Sequence, residues 1–414
     1  MITIDRQEFT QHDFYLRMNE LTTLSEYKQS EGKLFAICME SPLDILCILQ
    51  FLKNNSSSVL LLVGQTPYDR AVELAHKANS HYLVYGQWNT IVPIKGHVKL
   101  REPALYQYSS GTTGQPKLIA RSWSEIDLEL KSYNERVSSE DVPIILVPVS
   151  HSYGLITGVL AALQRGVQPI IVQNKNPKFA IHLIESNKRS IVYGVPFFYQ
   201  LFESLSKERL TYYKLISSGA PLNEQLLSRL MLSAVEVWQQ YGCTEAGCIA
   251  LGNQLTSPSD VGVPLSHLQV TIMANSEAES LPMPVDEIVV STGKSEIFTK
   301  DLGYRTESGK LHVLSRMDDL INVSGLKVIP AEVESIIGRL EGVREVVVHK
   351  TQHKVWGEAV KALVVADGIQ IEAVKVWCIQ HLPPYKVPSV IEIVTEIPKL
   401  PSGKVSRKLL AEQE

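Results

Sequence analysis

The chain has 414 residues, 44% hydrophobic and 20% charged, with a formal net charge of −4. That composition is globular and long enough for one large domain plus a smaller one, which excludes a disordered or fibrous chain. The near balance of 40 Lys and Arg against 44 Asp and Glu lacks the basic footprint of a nucleic-acid binder, and no apolar run approaches a membrane span.

Five cysteines (Cys38, Cys47, Cys243, Cys248 and Cys378) show neither CxxC nor His-interleaved spacing, so neither a disulfide framework nor a zinc site is indicated. The amino terminus, Met-Ile-Thr-Ile-Asp-Arg, carries charge where a signal peptide needs an apolar core. Both features predict a cytoplasmic protein.

Short apolar runs then alternate with helix-length amphipathic runs: 33–39 with 42–53, 58–63 with 68–78, 104–108 with 122–136, 142–148 with 155–163, and 190–195 with 197–205. This alternation predicts parallel α/β layers. Further strands are predicted at 214–217 and 235–238, each followed by a polar or Gly-bearing turn, Ser217-Ser218-Gly219-Ala220 and Tyr241-Gly242-Cys243-Thr244-Glu245. In doubly wound sheets such turns gather at the carboxyl edge, where ligands bind. After about residue 318 the pattern changes. Pro330 opens an amphipathic helix (Val333, Ile336, Ile337, Leu340) that Gly342 ends, and strands follow near 345–349 and 359–365. The expected fold is therefore α/β: a large N-terminal domain of layered, doubly wound sheets with helices (1–317) and a small mobile C-terminal α+β domain (318–414).

The segment richest in chemistry is Tyr108-Ser109-Ser110-Gly111-Thr112-Thr113-Gly114-Gln115-Pro116-Lys117, directly after a predicted strand. Glycines let backbone N–H groups approach phosphate oxygens, hydroxyls add donors and Lys117 adds charge. A P-loop it is not, since Lys117 follows Pro116 and precedes Leu118.

These residues resemble the adenylate-forming superfamily of acyl-CoA and aryl-CoA ligases, peptide-synthetase adenylation domains and luciferases, and the resemblance covers about residues 104–408. It implies an acid-AMP ligase that joins a carboxylic acid to ATP, with Mg²⁺, and then passes the acyl group to a thiol. Ser109, Ser110, Gly111, Thr112, Thr113, Gly114 and Lys117 would then bind phosphate. Tyr241-Gly242-Cys243-Thr244-Glu245 resembles the family's Y-G-x-T-E turn, which implies Tyr241 on adenine, Thr244 at phosphate and Glu245 as the magnesium ligand, with Gly219, Ala220 and Gly242 also at the nucleotide. Asp301-Leu302-Gly303 is similar to the T-G-D segment whose Asp accepts the ribose hydroxyls, although Lys300 stands where the family has Gly. Arg316-Met317-Asp318 resembles the R-x-D hinge, implying Arg316 at ribose or phosphate and Asp318 as pivot; Gly325 beyond it would line the thiol tunnel. Pro401-Ser402-Gly403-Lys404 matches P-x-G-K, implying Lys404 as the catalytic lysine, with Arg407 and Lys408 in the basic tail beyond. His151 falls at the family's aromatic gate between acid and thiol.

The same resemblance puts the acid pocket at His151, Ser152, Tyr153, Thr157, Ser218, Gly219 and Ala220. Members that take 2,3-dihydroxybenzoate usually have Asn after the gate His, so Ser152 suits an acid without a 2-hydroxyl. The short stretch before the phosphate-binding segment is similar to stand-alone aryl-acid ligases of siderophore assembly. It implies 3,4-dihydroxybenzoate as the acid and the phosphopantetheine thiol of a carrier protein as acceptor. A CoA ligase for a small aryl or fatty acid is the alternative, and no nucleic-acid or membrane partner is expected.

Overall fold

The computed structural model describes residues 1–95, 102–109, 117–206, 210–273, 285–353, 357–399 and 405–412. The predicted Ser110, Gly111, Thr112, Thr113 and Gly114, and Lys404, lie outside the described residues. The chain forms two compact units: Met1–Gly194 with Tyr212–Leu215 and Gly242–Cys248, and Val195–Thr211 with Ile216–Tyr241 and Ile249–Glu414. The fold is mixed α/β throughout, as the alternation of apolar runs predicts.

In the first unit, strands Leu34–Cys38, Ser58–Leu61, Tyr82–Tyr85 and Ala104–Ser109 are parallel neighbours, flanked by antiparallel Ile91–Pro93 and Lys117–Ser122. The Leu34–Cys38 strand is buried at every residue, as expected of a parallel strand covered on both faces. Its partner helix Pro42–Asn54 starts where Ser41 Oγ accepts the Asp44 N–H and Pro42 pre-sets the first turn. A second run places Ser190–Gly194, Val142–Ile145, Ile170–Ile171 and Ile2–Ile4 side by side in parallel, with Gln7–Phe9 antiparallel at the edge. The predicted helix over 155–163 is instead a π-helix, Tyr153–Leu160, continued by α-helix Ala161–Gln164. Single π turns inside helices are frequent at functional sites.

Strands Tyr212–Ser218, Ala234–Cys243, Gly247–Gly252 and Val263–Pro264 follow one another in order, the first three each divided by residue between the two units. A four-stranded antiparallel meander comes next: Gln269–Met273, Asp286–Ser291, Glu296–Arg305 and Leu311–Arg316. The predicted carboxyl-terminal elements are then present as helix Pro330–Gly338 and strands Val343–His353 and Gly357–Ala366. The helix stops four residues before Gly342, whose φ of +90° instead turns the chain into the next strand. Val333, Ile337, Val348, Val364 and Val374 make the core of this small α+β part. Helices Glu224–Ser233 and Pro330–Gly338 touch through exposed groups: Ser335 Oγ and Arg339 Nε donate to Glu224 Oε2 at 3.1 and 3.0 Å, and Gln225 Nε2 donates to the Gly338 carbonyl.

One local strain stands out in the meander. Lys300 adopts φ +60°, the left-handed region open to the glycine that the family resemblance leads one to expect there. Its neighbours hold it so: the Lys300 N–H donates to Glu287 Oε1 at 3.0 Å, the Asp301 N–H donates to Thr299 Oγ1 at 3.1 Å, and Thr299 Oγ1 donates to the Ile288 carbonyl at 2.7 Å. The ladder shifts register between Leu302 and Gly303, where a Cβ would sit 2.1 Å from the His312 carbonyl oxygen. Lys300→Val should lower stability by about 1–2 kcal/mol, because a β-branched residue resists this conformation, while Lys300→Gly should be at least as stable as the wild type. Urea denaturation of the two variants measures this.

Candidate active site

The first unit carries the ends of the predicted phosphate-binding segment. Ser109 and Lys117 are paired residues on antiparallel strands, and Ser109 Oγ donates to the Lys117 carbonyl at 3.4 Å. The two described ends of the segment are thus one pair of residues, about 5 Å apart, at the carboxyl end of the parallel strand Ala104–Ser109. Lys117 is exposed there.

His151 tops a turn that the sequence does not by itself explain. Its N–H donates to the Pro148 carbonyl at 3.1 Å, and its side chain is exposed. Gln107, almost fully buried, grips the residues on either side: its Nε2 donates to the Ser150 carbonyl at 3.0 Å, and its Oε1 accepts from Ser152 Oγ. Gly154 is obligatory, since a Cβ would lie 2.4 Å from the Pro148 oxygen. Tyr153 OH donates to the Gly194 carbonyl at 3.2 Å, with its ring 5.9 Å from that of Tyr193. Thr157 is buried and gives its hydroxyl proton to the Tyr153 carbonyl at 3.0 Å. Of the predicted acid-pocket hydroxyls here, those of Ser152 and Thr157 already donate to protein oxygens and offer a ligand only lone pairs.

Thr244 and Glu245 are half-buried in a turn closed by two glycines: a Cβ on Gly242 would meet the Gly247 oxygen at 2.1 Å, and Gly247 has φ +73°. Among the described residues no group of three His, Cys, Asp or Glu side chains could cage a metal. A cation there has one carboxylate, Glu245, and would take its other ligands from phosphate oxygens, the habit of magnesium rather than of zinc or calcium.

The second unit carries Ser218, Gly219 and Ala220. Ser218 is buried and donates Oγ to the Gln240 carbonyl at 2.8 Å, while Gly219 turns away at φ +85°. Tyr241, next along that strand, donates its hydroxyl to Asp301 Oδ2 at 2.6 Å, and Arg316 Nη1 lies 3.4 Å from Asp301 Oδ1. Sequence reasoning gives Tyr241 to adenine and Asp301 to ribose; the structure joins the two directly. Arg316 Nη2 also reaches Asp318 Oδ2 at 3.9 Å, so three predicted residues share one charge network. Gly325, at φ +91°, lies in a cleft of about 250 Å³ with Asn322, Ser324, Gly357 and Glu358.

Arg407 behaves unlike the solvated basic tail that composition suggests. It donates Nε to the Val348 carbonyl at 3.0 Å and pairs with Glu334 at 2.8 Å and Asp319 at 3.3 Å. This clamp fixes the chain three residues after Lys404.

The matched family is AMP-binding enzyme over residues 47–294, with the AMP-binding enzyme C-terminal domain over 332–404. The chain belongs to the AMP-binding enzymes. This AMP-binding enzyme is 46% identical over 99% of its length to the 3,4-dihydroxybenzoate–[aryl-carrier protein] ligase of Bacillus anthracis, covering 98% of that protein. It is 29% identical to the 2-succinylbenzoate–CoA ligase of Geobacillus over 74% of the chain and 68% of the relative. Among solved structures, ATP-bound MatB from Rhodopseudomonas palustris shares the fold at a TM-score of 0.84, with 20% identity over 100% of this chain and 95% of that one. The o-succinylbenzoate CoA synthetase of Bacillus subtilis, in complex with its acyl-adenylate, gives 0.81 at 21% identity over 99% and 94%. The AMP-binding enzyme is accordingly an acid-AMP ligase. Among its described residues no helix is long and apolar enough to cross a membrane.

Gln107 is the site residue that the motifs do not reveal. Its signal is a polar side chain on the same strand face as buried Leu105, which calls for a partner inside the protein. The pH behaviour of Asp301 is testable. Burial raises its pKa above 3.8, against the opposing pull of the Tyr241 hydrogen bond and Arg316. The native protein therefore keeps this proton where the unfolded chain has lost it, and the contribution to stability falls as pH rises from 3.8 to the raised value. Asp301→Asn should gain on the wild type across that window and no further above it, read from denaturation midpoints between about pH 4 and 7.

Proposed function

We propose that this chain adenylates 3,4-dihydroxybenzoate and transfers the aryl group to the phosphopantetheine thiol of a carrier protein, in siderophore assembly in the cytoplasm. The observation that carries this is the 46% identity along 99% of the chain to a ligase named for that acid and that class of acceptor. Ser152 after the exposed His151 agrees with it, because its proton is already given to Gln107. The Ser152 hydroxyl therefore has no proton left to give a 2-hydroxyl.

In the first half-reaction an oxygen of the acid's carboxylate attacks the α-phosphorus in line, and the bond to the β-phosphate oxygen breaks, so pyrophosphate leaves with the electron pair. The 109–117 segment and Thr244 hold the phosphates, Tyr241 meets adenine, and Asp301 accepts the ribose hydroxyls, with Arg316 beside it. Lys404 bridges the two anions that must meet, a preorganised charge of the kind whose removal typically costs about 10²–10³ in rate. Magnesium held by Glu245 would neutralise charge on the phosphate oxygens. In the second half-reaction residues 318–414 turn about Asp318, taking Lys404 away and bringing Gly325 to the thiol path. The thiolate attacks the acyl carbon, and AMP departs with the electron pair.

Acid-dependent exchange of pyrophosphate into ATP with 3,4-dihydroxybenzoate, 2,3-dihydroxybenzoate, benzoate and medium-chain fatty acids is the test. The 3,4-isomer should be strongly preferred; preference for a fatty acid would make the chain a CoA ligase instead. Lys404→Ala should abolish exchange and spare transfer from supplied acyl adenylate, and equal loss of both steps would refute this division of labour.

A further inference from the structure

We propose that the buried pair Arg121–Glu129 is a positioning device that sets the turn bearing Thr244 and Glu245 relative to the strand returning from the phosphate-binding segment. The proposal rests on the reading of Thr244 and Glu245 as phosphate and magnesium ligands. Glu129 is 1% exposed and Arg121 6%. Both carboxylate oxygens are used: Oε2 accepts from Arg121 Nη2 at 2.5 Å, and Oε1 accepts the Cys248 backbone N–H at 2.8 Å. Arg121 stands four residues past Lys117 on strand Lys117–Ser122, Glu129 is on helix Trp123–Asn134, and Cys248 is the second residue of strand Gly247–Gly252, which follows the Thr244–Glu245 turn.

The fit extends beyond the hydrogen bonds. A Cβ on Gly247 would lie 2.4 Å from both Arg121 Nη1 and Glu129 Oε2, and one on Gly242 would lie 2.1 Å from the Gly247 oxygen. A series of close approaches thus runs from Arg121 through Glu129 and Gly247 to Gly242, the two glycines that bracket Thr244 and Glu245. Arg121 Nη1 is buried with no hydrogen-bond partner among the described residues, so the carboxylate and the glycine surface define where the guanidinium sits.

Stability alone does not call for such a pair. Around Glu129 helix Trp123–Asn134 buries Ile126, Leu130 and Tyr133 at helical spacing, with Ser132 the one other polar residue buried on the helix. An apolar residue there would avoid the desolvation of two charges, and such replacements are often neutral or favourable. What an apolar residue lacks is an acceptor aimed at the backbone N–H of Cys248, two residues past the end of the turn. The pair is therefore assigned to geometry: it couples two segments that must hold the same triphosphate.

The test uses the full chain with Glu129→Gln, Arg121→Lys and Glu245→Gln. ATP binding is measured by calorimetry with and without magnesium, alongside pyrophosphate exchange and denaturant unfolding. Glu129→Gln and Arg121→Lys should each lower kcat/KM for magnesium-ATP by about 10²-fold, the scale of a misplaced reacting group, with KM for the acid unchanged. Both should also lose the magnesium-dependent gain in ATP affinity, as Glu245→Gln does. Arg121→Lys keeps the charge and tests the pair if the glutamine variant does not fold. Variants that unfold more easily yet bind magnesium-ATP like the wild type would reduce the pair to a structural role and overturn the proposal. An unaltered magnesium dependence in Glu245→Gln would overturn the role of Glu245 itself, and the proposal with it.

Discussion

A carboxylate shut away from water must find two good partners or cost the fold several kcal/mol, and Glu129 finds a guanidinium and a backbone N–H. This requirement organises much of the first unit. It sets the rotation of helix Trp123–Asn134, the approach of strand Lys117–Ser122, and the conformation in which only glycine can occupy position 247. The second unit has a counterpart in Asp301, whose oxygens face the Tyr241 hydroxyl and Arg316. In both places a buried acid holds groups from two other segments: Arg121 and the Cys248 N–H at Glu129, Tyr241 and Arg316 at Asp301.

The parallel layers were legible because fully buried strands read as unbroken apolar runs and their helices as amphipathic ones. Leu34–Cys38 and Pro42–Asn54 fall almost where the pattern puts them. The antiparallel meander over 269–316 was not, for physical reasons. The Glu296–Arg305 strand alternates poorly, with Lys300 in a left-handed turn and a register shift at Leu302, so no period of two survives. Strand Lys117–Ser122 is also invisible beforehand, since its apolar residues are only Leu118, Ile119 and Ala120, too short a run to show a period.

The motif residues were legible as types in a spacing, their company less so. Nothing in the sequence links Tyr241 to Asp301 across 60 positions, or Gln107 to Ser152 across 45. Such links belong to tertiary structure, although each leaves a trace: a polar residue on an otherwise apolar face. Gln107 and Glu129 both carry that trace, and each bonds backbone next to a turn where the motifs predict site residues. A buried polar side chain with a dry neighbourhood is thus a useful pointer even where no motif surrounds it.

The contact between helices Glu224–Ser233 and Pro330–Gly338 has a different character. Glu224 and Arg339 are both about half exposed, so water and salt screen their attraction, and such pairs are worth about 0–1 kcal/mol. A joint of this kind resembles a magnetic door catch more than a bolt: this surface pair adds little to the cost of parting the two helices. Exchanging one such surface charge would retune how the two helices meet without disturbing either hydrophobic core.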